Sequence, residues 1–455
     1  MTELRNDPAT APRVEPGAGI AGETPQDISA EAVLDIPPEL VAQSLGDYLR
    51  AWLVRLRSGE SGVLPVIAGL VVISVVFELI SPGRVFLSAD NLVNLLQQSA
   101  FYMVLGMAEI FVLLLGEIDL SIGFVAPVGA IITIQLVEPQ TANWPWYLGI
   151  AVGLLACALW GAAQGTLITR FRLPSFIVTL AGLLVANGVL LFILLIGPFS
   201  GYPSLNGPGD NLRMLHNLMN GTIDAAVSWV AMGLLVAGVG LGLWLRDSRR
   251  RASGLVAPPA SLTLLKIALI AAVGIALVGI CSVNRAAFGN VSGVPWFIPI
   301  ILVVLGAWMI LLQRTRFGRY VYAIGGNPEA ARRAGIPVAR IRTWAFTLCS
   351  LTAGIGGLLY ASRLDGLSNN VNGGQDTLYA VAAAVIGGTS LFGGRGKAIH
   401  GVLGGLVIGG IYNGMFLLGL DVKWEFIVTG FVLLVSVSID SLSRRGASGG
   451  SVAHV

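Results

Sequence analysis

The chain has 455 residues, of which 55% are hydrophobic and only 12% charged, with a net charge of +3 and a mean hydropathy of +0.79. A soluble globular domain carries about 25% charged residues, so this chain has too little polar surface to meet water on all sides, and the excess apolar area must face lipid. That excludes an ordinary soluble enzyme, and the near-neutral charge balance argues against nucleic acid as a partner.

Residues 1–45 are rich in Pro, Ala, Gly, Glu and Asp without a long apolar run. Such a composition cannot bury enough area to fold alone, so it reads as a disordered cytoplasmic tail. It lacks the basic start and apolar core of a signal peptide. Gly17, Gly19 and Gly22 match G-x-G-x-x-G formally, but no strand precedes them and no helix clearly follows, so no nucleotide site is read there. Residues 46–62, within an amphipathic stretch that carries Arg50, Trp52, Arg55 and Arg57, suit a position on the membrane surface.

Apolar runs then follow at about 63–81, 94–115, 120–137, 146–168, 174–197, 224–245, 262–282, 295–313, 343–361, 377–392, 398–419 and 424–440. With a span of about 20 residues as the ruler, they predict an all-α polytopic transmembrane helical bundle of about 10–12 spans over residues 63–441. A cytoplasmic tail follows at 442–455. The runs at 120–137 and 377–392 are short and Gly-interrupted, the pattern of broken or re-entrant helices.

Arginine sets the orientation. Arg170 and Arg172, then Arg246, Arg249, Arg250 and Arg251, then the stretch Arg314 to Arg342, and finally Arg444 and Arg445 fall in alternate connections. The connections 198–223, 283–294 and 362–376 carry at most one arginine each. Basic loops stay in the cytoplasm, and counting twelve spans with both termini inside places every basic loop inside. The pairs Gly161/Gly165, Gly405/Gly409 and Gly410/Gly414 have the small-xxx-small spacing that lets helices approach closely.

Three segments stand out. In the long basic loop, residues 327–335 spell a complete short helix. Asn327 is an N-cap, Pro328 suits the first helical position, Glu329 favours the positive dipole end, Ala330 and Ala331 are good helix formers, and Gly335 terminates. A capped helix in a cytoplasmic loop is either a solvated connector or a docking element for a cytoplasmic partner. The second segment, residues 116–123, lets Gly116 end one helix while Asp119 or Ser121 caps the next. Its Glu117 and Asp119, with Glu109 inside the preceding run, are carboxylates near membrane depth, which usually face a cavity or a partner. Pure capping and lining of a translocation path both fit. The third, residues 386–397, contains Gly387, Gly388, Thr389 and Ser390 and suits a flexible inner turn or a gating element. It fails as a phosphate loop: a Walker pattern ending at Gly396 and Lys397 needs Gly at Leu391 and Ser or Thr at Ala398. No ATP site is encoded here. His216, His400 and His454 are isolated, and Cys157, Cys281 and Cys349 lie scattered in apolar runs, so neither a metal centre nor a disulfide framework is expected.

Glu117–Gly123 (EIDLSIG), Leu173–Gly182 (LPSFIVTLAG), Phe317–Ile336 (FGRYVYAIGGNPEAARRAGI) and Ile386–Lys397 (IGGTSLFGGRGK) together resemble the permease subunits of bacterial monosaccharide ABC importers, the ribose/xylose/galactose group. That group is also similar to branched-chain amino-acid permeases. The D-xylose branch is nearest, because the resemblance covers roughly 60–441 and includes the extra pair of spans around Trp244–Leu255 (WLRDSRRRASGL). The resemblance implies a homodimer in the inner membrane, joined by two cytoplasmic ATPase subunits and a periplasmic sugar-binding protein. ATP and Mg would bind on the ATPase, with no cofactor on this chain and no catalytic residue. It makes the helix at 327–335, with Gly318 in the same motif, the ATPase-coupling element. From the residues alone, two other readings stay open: a permease of the same superfamily for a nucleoside or branched-chain amino acid, and an ion- or proton-driven carrier using Glu109, Glu117 and Asp119.

Overall fold

The computed structural model describes residues 63–195, 203–255, 257–285 and 291–449, together with Gly46 and Arg50. The expected tail at 1–45 and nearly all of the amphipathic segment at 46–62 lie outside the described residues.

Each of the twelve apolar runs carries a helix. In chain order they are α1 (Leu64–Ile80), α2 (Ala89–Leu113), α3 (Ile122–Val137), α4 (Trp146–Phe171), α5 (Ser175–Leu195), α7 (Ala225–Ala252), α8 (Ala260–Ser282), α9 (Phe297–Arg314), α12 (Val338–Arg363), α13 (Gly373–Ile386), α14 (Ala398–Leu417) and α15 (Val422–Gly449). The connections add α6 (Asp210–Asn220), α10 (Arg316–Gly326) and α11 (Pro328–Arg333). Among the described residues, eight helices are long and apolar enough to cross a membrane: α2, α4, α5, α7, α8, α9, α12 and α14. α3 and α13 have 16 and 14 residues, about 24 and 21 Å at 1.5 Å per residue. Both fall short of a hydrocarbon core of about 30 Å, as their interrupted sequences suggest. The run 377–392 is helical only to Ile386, where Gly388 turns the chain at φ 108°. α15 continues to Gly449, past the expected boundary at 441.

By contact the described residues divide into one unit that holds 241–266 and another that holds those from 63 to 240 and from 267 to 449. In the first unit, the basic turn is organised on buried Asp247. Its carboxylate accepts from Arg246 Nε (2.9 Å) and from Thr263 Oγ1 (3.0 Å). Arg251 donates to the Pro258 carbonyl (2.8 Å) and stands 5.5 Å from the centre of the Trp244 ring.

In the second unit, α2, α12 and α14 are mostly buried inside the protein, whereas α4, α5 and α9 turn most of their length outward. Outward side chains include Leu155, Leu184 and Val303, as lipid requires. The α2–α14 contact runs along one row of glycines. An added Cβ at Gly405 or Gly409 would overlap Met103 or Ser99 of α2. Gly161 and Gly165 make the same close approach to Phe346 and Thr343 of α12, while Gly410 is looser. Without a solvent-driven force between helices in lipid, such close backbone packing holds a bundle together.

The connection 198–223 is more than a loop. Its amphipathic α6 buries Leu212, Leu215 and Met219, and Thr222–Ile223 (β1) pairs antiparallel with Val294–Pro295 (β2). α6 is tied to the end of α12, where Ser362 Oγ donates to the His216 carbonyl (2.8 Å) and Asp365 pairs with His216 Nδ1 (2.6 Å).

Candidate functional site

The end of α2, the 387–397 loop and the C-terminus of α10, the helix that leads into the 327–335 segment, meet at one end of the second unit. α2 ends in a Schellman motif: Gly116 N donates to the Leu113 carbonyl and Glu117 N to that of Val112, with Gly116 at φ 75°. Here the chain meets the 387–397 loop, whose Gly394 N donates to the Leu114 carbonyl (2.9 Å). The C-terminus of α10 closes the third side. An added Cβ at Gly325 would overlap the Leu114 oxygen, and Tyr322 Oη donates to the Gly396 carbonyl (2.7 Å). Backbone therefore meets backbone on three elements, with almost no side chain between them.

Beyond Gly116 the carboxylates separate. Glu109 and Asp119 are fully buried, and Glu109 Oε1 accepts from the Asp119 amide (3.0 Å). Asp119 Oδ1 accepts from both the amide and the hydroxyl of Ser121 (2.9 and 2.7 Å), and Gln164 Nε2 of α4 donates to that hydroxyl (3.0 Å). Ser121 stands at the N-cap of α3 but makes no side-chain cap, so the expected local cap is corrected. Its hydroxyl is held by Asp119, and Thr377 Oγ1 of α13 accepts from the α3 amide of Gly123 (3.0 Å) instead. Glu117 points the other way. Only 7% exposed, it forms an ion pair with Arg342 in the first turns of α12.

α11 has the expected form. Asn327 Oδ1 accepts from the amides of Glu329 and Ala330 (3.1 and 3.0 Å), and Pro328 occupies the first turn. Glu329 pairs with Arg332 (2.9 Å) and Arg333 (3.4 Å). Gly335 ends the helix at φ 78°, with its amide on the Arg332 carbonyl and that of Ile336 on Ala331. Ala331 alone of α11 is buried, and the rest of the helix is presented outward. Gly318 of α10 is buried hard against the Leu312 carbonyl of α9.

In the loop, Gly387 is buried against the His400 backbone while Gly388 is exposed. Thr389 Oγ1 lies 3.3 Å from His400 Nδ1, and the Ser390 amide donates to the Arg395 carbonyl (2.9 Å). The structure thus groups Glu109, Asp119 and Ser121 at the α2–α3 break. It sets the 387–397 loop against the end of α2 and leaves α11 outward, continuous with α10 through Asn327. Arg342, Gln164, Gly325 and Thr377 are members that sequence reasoning did not single out. Arg342 was visible only as one of many basic-loop arginines.

A family model described as "branched-chain amino acid transport system / permease component" matches residues 91–437, from α2 into α15. The chain belongs to this family. It is 35% identical over 406 residues to the xylose transport system permease protein XylH of Escherichia coli (strain K12), covering 86% of this chain and 94% of that protein. XylH of Haemophilus influenzae is 30% identical over 396 residues, 86% of this chain and 99% of its own. The ribose import permease protein RbsC of Escherichia coli (strain K12) is 28% identical over 394 residues, 87% and 96% respectively. No solved structure matches. These relatives are transport subunits rather than enzymes, and this permease is likewise a non-enzymatic, multi-pass protein of a bacterial inner membrane.

Proposed function

We propose that this permease is the membrane-spanning subunit of an ATP-binding-cassette importer that moves a monosaccharide, D-xylose or a similar aldose, handed over by a periplasmic binding protein. It works as a homodimer with two cytoplasmic ATPase subunits, which bind ATP and Mg, while this chain binds no cofactor. Both termini and every basic loop lie in the cytoplasm. α11 is the coupling helix, its exposed face seated in a groove of the ATPase. The α2–α3 break with Glu109, Glu117, Asp119 and Ser121, and the loop at 387–390, form the inner gate.

One observation carries this reading: the backbone junction of Leu114, Gly325 and Gly394. α10 leads directly into α11 through the shared cap Asn327, so a displacement of α11 reaches the end of α2 and the 387–397 loop without passing through flexible side chains. The names of the relatives, xylose and ribose permeases, support a sugar as cargo.

The test is reconstitution in proteoliposomes with the cognate ATPase and binding protein. ATP-dependent uptake of D-xylose, with D-ribose compared, is expected. Uptake driven by an ion gradient without any ATPase overturns the reading. Ala331→Pro removes the amide that donates to the Asn327 carbonyl (3.0 Å) and breaks α11. It is expected to abolish ATPase binding, and retained binding with full transport counts against the coupling assignment.

A further inference from the structure

At the end of the bundle opposite the 387–397 loop, four helices present charged or aromatic residues to one another. Arg363 is the last residue of α12, Asp376 lies in the first turn of α13, and Glu425 in the first turn of α15. Asp376 and Glu425 are 7% and 6% exposed and close enough to repel each other. None of these three charges forms an ion pair among the described residues. Between them lies a layer of tyrosines. The rings of Tyr102 and Tyr379 meet edge to face at 5.5 Å. Tyr360 is within electrostatic range of Asp376 on one side and Arg363 on the other. The Tyr379 hydroxyl is buried beside Glu425 without a hydrogen bond of ordinary geometry to it.

Charges within a bundle are costly and face a path or a partner, and two like-charged carboxylates brought together do not stabilise the fold. A buried hydroxyl such as that of Tyr379, without a hydrogen bond of ordinary geometry, can be satisfied by a polar ligand. Partly exposed tyrosine rings, Tyr102 and Tyr360, flanked by carboxylates and a guanidinium match one ligand class, a neutral polyol ring. Its C–H face lies on an aromatic face, its hydroxyls donate to carboxylates, and its oxygens accept from arginine. A branched aliphatic solute would leave the same groups unpaired.

We propose that Tyr102, Tyr360, Tyr379, Arg363, Asp376 and Glu425 form a low-affinity sugar subsite on the side of the permease remote from the ATPase, which holds the monosaccharide between its release by the binding protein and opening of the inner gate. This rests on the sugar-permease reading above. The subsite commits the sugar to inward movement: with it weakened, hydrolysis proceeds while sugar returns outward.

The measurement is sugar moved per ATP hydrolysed in proteoliposomes carrying the whole assembly, with D-xylose and D-ribose as probes. Asp376→Asn and Tyr379→Phe keep shape and are expected to lower that ratio about tenfold, the factor carried by one lost hydrogen bond to a charged group. Leu434→Ala, on the outward face of α15, keeps the wild-type ratio. A wild-type ratio in both subsite variants overturns the proposal, because a structural role lowers uptake and hydrolysis together. A diazirine-bearing pentose cross-linked to the unmodified assembly provides a test that needs no variant: labels at or beside the six subsite residues on α2, α12, α13 and α15 support the subsite, and labels confined to other positions overturn it. If wild-type proteoliposomes accumulate neither sugar, the sugar-permease reading itself falls; wild-type uptake with an unchanged variant ratio removes the subsite alone.

Discussion

Glu117 and Arg342 make the only ion pair at the junction among the described residues, and its strength follows from where each end lies. Two unit charges about 4 Å apart attract by about 4 kcal/mol at an effective dielectric near 20. Removing one partner of a fully buried pair costs about 3–5 kcal/mol, because the other charge is stranded. Glu117 is 7% exposed, but the Arg342 side chain is 35% exposed, so water screens the guanidinium and lowers the cost to about 2 kcal/mol. Arg342→Gln, which strands the buried carboxylate, is expected to cost that amount. Glu117→Gln leaves an arginine that can turn to water, and costs about 1 kcal/mol. The double variant should lose less than the sum, with an interaction energy of about 1 kcal/mol. Unfolding in mixed micelles, followed by tryptophan fluorescence, gives all four corners of the cycle. If the two single losses add to within about 0.5 kcal/mol, the pair is not coupled and the transmission from α12 to the α2–α3 break loses its electrostatic component.

Other expectations follow from the same geometry. Asn327→Ala removes two cap bonds and is expected to cost α11 about 1 kcal/mol, read as weaker ATPase association with uptake reduced in proportion. Gly325→Ala places a methyl on the Leu114 carbonyl and should abolish uptake, whereas Gly326→Ala, with open space at the same distance along the chain, should leave it intact. Equal uptake in the two would remove the backbone junction from the mechanism. Tyr322→Phe loses the bond to the Gly396 carbonyl, worth about 1 kcal/mol. Burial holds the Tyr322 phenol above its ordinary range. Its contribution is therefore complete below the unfolded value of about 10 and is lost as pH rises through the higher folded value. The alkaline limb of unfolding should flatten in Tyr322→Phe.

What could be read in advance was local. The helix at 328–333 follows from a cap, a proline, an acid and a terminating glycine within nine residues, and the structure reproduces each signal. The break at Gly116 is equally local. The cap of α3 was not, because its acceptor is Thr377, 254 positions away; nothing in residues 116–123 distinguishes a serine that caps from one held by its neighbouring aspartate. The same holds for Glu117, whose partner Arg342 is one arginine among many in the basic loop. α6 did carry a legible signal, with Leu212, Leu215 and Met219 at helical spacing. The polar composition of the connection outweighed it. The cluster around Asp376 was obscured for a different reason: its charges fall at the edges of apolar runs, where a hydropathy ruler treats them as boundaries.

The 387–397 loop and the Asp376 cluster lie at opposite ends of α13, and that placement bears on how they cooperate. α13 begins with Asp376 in its first turn and ends at Gly387, against the His400 backbone. Beside Asp376, Thr377 is hydrogen-bonded to the start of α3, and nearer the other end Gly404 of α14 is pressed against the Ala383 carbonyl. A helix of 14 residues held near both ends moves as one piece with α14 and the start of α3. Under the proposed coupling, displacing the 387–397 loop through α10 would shift α13 relative to α12 and α15, and with it the distance from Asp376 to Arg363 and Glu425. Events at the proposed ATPase face and affinity at the proposed subsite would then be two readings of one rigid element's position, which is the physical requirement for reciprocal coupling between sites.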